Sequence, residues 1–279
     1  ETQWNYGDQE AWNRFPGSKC GHVGEQSPID IVPTAFPPAL PLEQEHHGIN
    51  GRSHLMRSSE DGKLVIMWNY TWPMVNVSLH TTRQGWEVHM PPFDKTTRMA
   101  FFGTDFFLTS IHFTSPSENS IDGVSYDMEM QHVHEAIDGQ RLIVSVLHAV
   151  RLVPSNRYLS QFWDDFPRYS SKGTPVHKLV ANPYYGAFPE DRSLFTFNGS
   201  WTRPPCKLDT IWVVFKEPIP INRTQLDRHR SSIDRIPNSR LRYDPEGNPP
   251  SGVTEPWDNT LGTNNRLTQT RGQRAVVSI

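Results

Sequence analysis

Three runs decide how this chain folds: Phe106-Phe107-Leu108-Thr109-Ser110-Ile111-His112-Phe113, Tyr126-Asp127-Met128-Glu129-Met130-Gln131-His132-Val133-His134 and Leu142-Ile143-Val144-Ser145-Val146-Leu147-His148-Ala149-Val150. Each is short and rich in branched or aromatic side chains, which suits a strand in a partly buried sheet. Alternate residues of a strand point to opposite faces, so Glu129, Gln131 and Val133 share one face and Met130, His132 and His134 the other. His132 and His134 can therefore reach one ion. With His112 from a neighbouring strand they form a candidate three-histidine zinc set with an open fourth position. Such a site makes a hydroxide nucleophile near neutral pH. The plainer reading is a group of hydrogen-bonded histidines in polar strands, and spacing leaves both readings open.

Outward from this centre, further strand-like segments occur at Lys63–Trp68, Met74–His80, Trp86–Met90, Phe195–Phe197 and Thr210–Phe215. Helical signals are few; Asn156–Asp165 and Arg223–Ser232 are the best. The 24 Pro and 18 Gly of the 279 residues argue against long helices. Residues 1–45 read as an irregular arm laid over the core, Asp244–Asp258 as a loop, and Asn259–Ile279 as a C-terminal tail. No linker, internal repeat or low-complexity tract divides the chain, so 1–279 is expected to be a single domain. Its formal charge of −3 gives no field to attract nucleic acid. No apolar run is long enough to span a bilayer. A β-dominated globular protein remains.

The chain begins at Glu1, which suggests a processed or trimmed N-terminus. Four Asn-x-Ser/Thr sequons, at Asn69, Asn76, Asn198 and Asn222, exceed the roughly one or two that chance supplies. The two cysteines, Cys20 and Cys206, are either free buried thiols or one bridge closing a very long loop. Together these features favour a secreted, extracellular glycoprotein.

Several motifs then carry a family resemblance. Trp4-Asn5-Tyr6-Gly7, Gln26-Ser27-Pro28-Ile29-Asp30-Ile31 and Asn198-Gly199-Ser200-Trp201-Thr202-Arg203-Pro204-Pro205-Cys206 are similar to elements of the α-carbonic anhydrases. So is the following Trp212-Val213-Val214-Phe215. The similarity runs through nearly the whole chain in consistent order. It implies a large, twisted, mostly antiparallel central sheet with short peripheral helices, and a disulfide between Cys20 and Cys206.

At the family's zinc site the sequence departs from the pattern. The resemblance places the three ligand histidines at His112, Thr114 and Gln131, so one of three survives. Replacing a lost ligand with His132 needs a one-residue slip of its strand, which would turn every side chain on it to the other face. A hydroxyl and a neutral amide are poor zinc donors. The family's proton-shuttling histidine falls near Trp72 or Pro73, and its small substrate-side residues become the larger Trp201 and Arg203. Its gatekeeping pair persists as Thr202 and Glu118, here expected to be a structural hydrogen-bonded pair.

The expectation is thus a carbonic-anhydrase-related protein without catalysis and without a cofactor, acting as an extracellular binding or structural module. Its partners would be an extracellular protein, an acidic glycan, or copies of itself in a homo- or hetero-oligomer. Arg223, Arg228, His229, Arg230, Arg235, Arg240 and Arg242 form the candidate glycan contact, although Asp227, Asp234 and Asp244 interleave with them. A storage, matrix or cell-surface assembly role is compatible with such a scaffold. The alternative is an active zinc enzyme hydrating carbon dioxide at a rearranged site of His112, His132 and His134.

Overall fold

The computed structural model describes residues 4, 6, 9–32, 42–45, 54–58, 65–68, 74–82, 84–101, 104–170, 176–233 and 263–278; for 42–45, 54–58 and 65–68 the description is of backbone alone. After a 3-10 turn at Glu10–Arg14 the described residues form seventeen strands, the first seven at Asp30–Ile31 (β1), Leu42–Glu45 (β2), His54–Ser58 (β3), Val65–Trp68 (β4), Val75–Thr82 (β5), Gly85–His89 (β6) and Arg98–Phe101 (β7). The middle of the chain supplies Thr104–Thr114 (β8), Ser120–Ile121 (β9), Val124–Ser125 (β10), Met128–Ala136 (β11) and Arg141–Val150 (β12). Val176–Ala181 (β13), Leu194–Gly199 (β14), Thr210–Phe215 (β15), Ile219–Ile221 (β16) and Val276–Ser278 (β17) complete the set. Arg223–Ile233 (α1) is the one α-helix among the described residues.

Fourteen strands join in one mixed sheet along the path β17-β14-β15-β12-β11-β8-β7-β4-β3-β2. Beside this path β6 also pairs with β8 and carries β5 and β13 outward, while β16 pairs with β12. Most pairings are antiparallel; β12 runs parallel to β15 and β16. β1, β9 and β10 form a small separate sheet. The three opening runs become β8, β11 and β12, at the centre. Their residues are almost continuously buried because both faces are covered.

On one face, Ile111, Phe113, Met130 and Val144 pack with Trp86, Phe162 and Trp163. On the other, Val133, Ile143, Leu147, Trp212 and Val214 pack against Ile29 and Ile31. Each such side chain contributes roughly 1.5–3 kcal/mol of burial. The N-terminal arm brings its own cluster of Tyr6, Trp12 and the Cys20–Cys206 disulfide. With its cysteines 186 positions apart, the disulfide removes about 5 kcal/mol of chain entropy from the unfolded state. Beside it, the Ser27 amide donates to Ser200 Oγ at 2.9 Å and the Ser200 amide to Ser27 Oγ at 3.2 Å. A Cβ at Gly199 would overlap Ser27 Oγ, so only glycine admits this close approach.

Three expectations need correction. The arm of residues 1–45 is not irregular throughout, since it contains β1 and its last residues form β2 in the large sheet. Asn156–Asp165 is a chain of tight turns rather than an α-helix. Its aromatic periodicity is real, but Phe162 leaves helical geometry (φ −146°), and Trp163 is drawn to α1 by Nε1 donating to the Gln225 carbonyl at 2.9 Å. Asn259–Ile279 is not a mere tail, for Thr263–Arg266 is buried and Val276–Ser278 is β17. The Arg266 guanidinium donates to Gln26 Oε1 at 2.8 Å and to the Ser27 carbonyl at 2.7 Å. The loop at Asp244–Asp258 lies outside the described residues. No helix among the described residues is long and apolar enough to cross a membrane.

Candidate functional site

β8 and β11 pair so that His112 lies opposite Gln131 and Thr114 opposite Glu129. On its other edge β8 meets β6, which places Glu87 opposite His112. Glu87, His112 and Gln131 thus form one row across three strands, with Thr114 and Glu129 in the next row on the same face. The loop after β14 closes over them with Trp201, Thr202 and Arg203. The structure therefore brings His112, Thr114, Gln131, Glu118 and Thr202 together.

Glu129 organises this face. Its Oε2 accepts the backbone amides of Glu118 and Asn119, each at 2.8 Å. Its Oε1 accepts Ser145 Oγ at 2.7 Å, Asn119 Nδ2 at 2.9 Å and Gln131 Nε2 at 3.2 Å. Gln131 Nε2 also donates to Glu118 Oε2 at 2.8 Å, so the amide nitrogen is turned towards two carboxylates. Glu118 accepts the Arg266 amide at 2.8 Å and the Thr202 hydroxyl. Burial, and then the Glu129 carboxylate, push Glu118 up to about 7.

His112 is buried, and its Nε2 is paired with Ser110 Oγ at 2.8 Å. Its ring meets Trp201 edge-on at 5.8 Å between centroids, and Arg141 covers Trp201 at 4.2 Å. Burial, followed by the positive charge of Arg203, holds His112 down at about 3, so the ring is neutral. Thr114 Oγ1 is buried without a protein partner. Arg203 Nη1 donates to Glu87 Oε1 at 2.6 Å, an ion pair that is almost wholly buried. Burial alone would raise the Glu87 carboxyl; His112, Arg203 and the hydrogen bond from His89 outweigh it and hold the group well below the usual range.

His132 and His134 stand on the opposite face of β11. His132 Nε2 lies 3.1 Å from the Pro183 carbonyl and 3.3 Å from Tyr158 Oη. His134 Nε2 lies 3.0 Å from Tyr184 Oη, and its Nδ1 is 3.1 Å from the His132 carbonyl. A bulge in the pairing falls between Val133 and His134, where Leu108 rather than Thr109 comes opposite His134. The extra residue lies on β8, so the faces of β11 are unchanged. The structure does not bring His112 together with His132 and His134. Among the described residues no cluster of three His, Cys, Asp or Glu is arranged to hold a metal ion.

Of the sequons, Asn76 and Asn198 are exposed. Asn222 is half-buried and caps α1, its Oδ1 accepting the Gln225 amide at 2.8 Å. Asn69, Trp72 and Pro73, with Arg235, Arg240 and Arg242, lie outside the described residues. His229, counted among the basic residues of 223–242, is instead fully buried against Trp86 and Trp163. Arg228 is engaged with Asp164 at 3.1 Å and with the Trp163 carbonyl. Sequence reading found Arg203 as a bulky residue in the pocket but missed its partner. The signal was Glu87, a lone acid between Trp86 and Val88.

The eukaryotic-type carbonic anhydrase family model matches residues 7–279. A carbonic anhydrase of Klebsiella pneumoniae is 27% identical over 231 residues, 81% of each chain. Dioscorin DB3L of Dioscorea polystachya is 35% identical over 111 residues, covering 39% of this chain and 40% of its own. Among solved structures, dioscorin complexed with ascorbate superposes with a TM-score of 0.72 at 20% identity, over 100% of this chain and 98% of that one. The α-carbonic anhydrase of Thermovibrio ammonificans, in complex with sulfanilamide, gives 0.68 at 22% identity over 99% of both chains. With the family match spanning the sheet, the Ser27–Ser200 clasp and the row around His112, this chain belongs to the α-carbonic anhydrase family.

Proposed function

We propose that this member of the family does not hydrate carbon dioxide and serves outside the cell as a binding or structural module. The donor set at the three ligand positions carries this reading. His112 offers one imidazole, already paired with Ser110. Thr114 offers a hydroxyl, and Gln131 an amide whose nitrogen faces Glu118 and Glu129. Zinc in such an open site needs three strong donors, usually imidazoles, and one imidazole does not fit that requirement. A bound zinc would supply a water acidic enough to lose its proton near neutral pH. Here His112 and Gln131 are instead bonded to neighbouring side chains of the protein.

The extracellular setting is supported by the Cys20–Cys206 disulfide and by the exposed sequons at Asn76 and Asn198. A fold retains many uses after its chemistry is lost, so the scaffold leaves the partner open. Metal analysis of the purified protein, with stopped-flow carbon dioxide hydration, tests the reading. Zinc below ~0.1 per chain and no catalysed hydration are expected. About one zinc per chain, lost together with hydration activity in His112→Ala, overturns it.

A further inference from the structure

We propose that Arg203, held by Glu87, is a built-in cation that excludes a metal ion from this site, independently of the missing histidines. The inference rests on the reading that the chain takes up no zinc, and adds a second physical reason for it.

Arg203 is 7% exposed, and Glu87 is likewise 7% exposed. The guanidinium is charged at any accessible pH, and a buried charge persists only with a partner. Glu87 is that partner, at 2.6 Å. Register fixes the pair to the site, since Glu87 lies directly across from His112, which lies directly across from Gln131. Arg203 is also the strongest charged influence on His112. The guanidinium, its charge balanced by the Glu87 carboxylate, is therefore anchored beside the one surviving ligand, on the face where a divalent ion would have to bind. In a site closed to water, a divalent ion would have to share that space with a second cation or pull the guanidinium away from Glu87. Glu87 is fully committed, to Arg203 and the Thr82 hydroxyl through Oε1 and to His89 through Oε2 at 2.8 Å. It is thus not free to turn towards a metal.

The pair also sets a trap for simple reversion. Removing Arg203 alone leaves the buried Glu87 carboxylate without the guanidinium that balances its charge, and removing Glu87 alone strands the guanidinium. Either single loss is more damaging than losing both together. Exchange of the two residues one at a time therefore passes through an unstable intermediate.

Zinc affinity, measured by competition against a chromophoric chelator, tests the exclusion. The first protein is the wild type. The second carries Thr114→His and Gln131→His. The third carries those changes with Arg203→Thr and Glu87→Gln, which leave the net charge of the pair's surroundings unchanged. The third is expected to bind zinc on the order of 100-fold more tightly than the second. Affinities equal within about threefold overturn the exclusion while leaving the proposed function standing. Stoichiometric zinc in the wild type overturns both. If the fourfold variant does not fold, the cycle of Arg203→Thr, Glu87→Gln and their double in the otherwise native chain decides. Urea midpoints should fall further for each single change than for the double, and strictly additive losses overturn the pairing.

Discussion

The two faces of strand β11 solve the same problem, polar groups sealed from water, in opposite ways. On the core face His132 and His134 stay neutral, each meeting a carbonyl and a tyrosine hydroxyl. On the site face Glu129 gathers five donors from four residues, and Gln131 ties it to Glu118. The core face buys nothing with charge, whereas the site face is built round charge and compensates it with hydrogen bonds and with Arg203. On the site face Gln131, Glu118 and Glu129 close into one network, while the Thr114 hydroxyl stays buried without a protein partner.

Acid should break the comparison most sharply, because the buried histidines, His112 of the site face included, titrate with the opposite sign to Glu118. Burial lowers His132 to about 3 and His134 and His148 to about 4. It also lowers His229 to about 3, as it does, with Arg203, for His112. Unfolding frees these rings to take up protons near pH 6.5, while the folded chain resists until pH 3–4. Stability is therefore fully present above pH 6.5 and falls as pH drops below it. At pH 5 each ring costs about 2 kcal/mol, and five cost about 10, comparable to the whole stability of a domain. Glu118 works the other way. Its folded value of about 7 exceeds its unfolded one, so it gains stability as pH falls from 7 towards 4.5, by at most about 3 kcal/mol. The histidines win. Urea unfolding followed by circular dichroism should show the midpoint collapsing between pH 6.5 and 5. An unchanged midpoint over that window would show that the rings are not held neutral.

Next in size is the site face itself. Glu129→Ala leaves two backbone amides, the Asn119 side chain and the Ser145 hydroxyl without their acceptor in a region sealed from water. Breaking a buried charged network of this kind costs about 3–5 kcal/mol. The urea midpoint at pH 7.5 should drop accordingly. Loss below about 1 kcal/mol would mean that the network is satisfied by water instead of by the carboxylate.

Much of this contrast could be read before the fold was known. Period-two alternation alone assigns Gln131 and His132 to opposite faces, and the register of β11 against β8 agrees. The same local rule cannot find the Glu87–Arg203 pair. Those residues are 116 apart, and they meet only because β6 pairs with β8 and the loop after β14 folds back over both. Nor does periodicity distinguish an α-helix from successive turns. Tyr158, Leu159, Phe162 and Trp163 keep a common side in Asn156–Asp165, but the Asn156 amide is held by Gln225 Oε1, and the Trp163 and Gln161 side chains by the Gln225 and Asn182 carbonyls, all from outside the segment. The small strand β13 was missed because its residues are mostly exposed and two of them are His177 and Lys178. Long-range register and burial, rather than local pattern, determine these parts.

The smallest effect isolates one ring of the core side. His229 lies against Trp86, Phe113 and Trp163, and neither ring nitrogen has a protein partner. Unlike His132 and His134, it gains no hydrogen bond to offset the loss of water around its polar atoms. His229→Leu keeps a similar volume and removes both nitrogens. At pH 7.5 it should raise stability by about 1 kcal/mol. Because it also deletes one of the five lowered pKa values, the variant should bind one proton fewer on acid unfolding, and its advantage over the wild type should widen as pH falls from 6.5 to 5. The same change at His132 should behave differently, since it removes a ring bonded to the buried Pro183 carbonyl and leaves that carbonyl with the Tyr158 hydroxyl alone. A His132→Leu protein as stable as His229→Leu at pH 7.5 would mean that hydrogen bonding to the ring does not separate these two histidines.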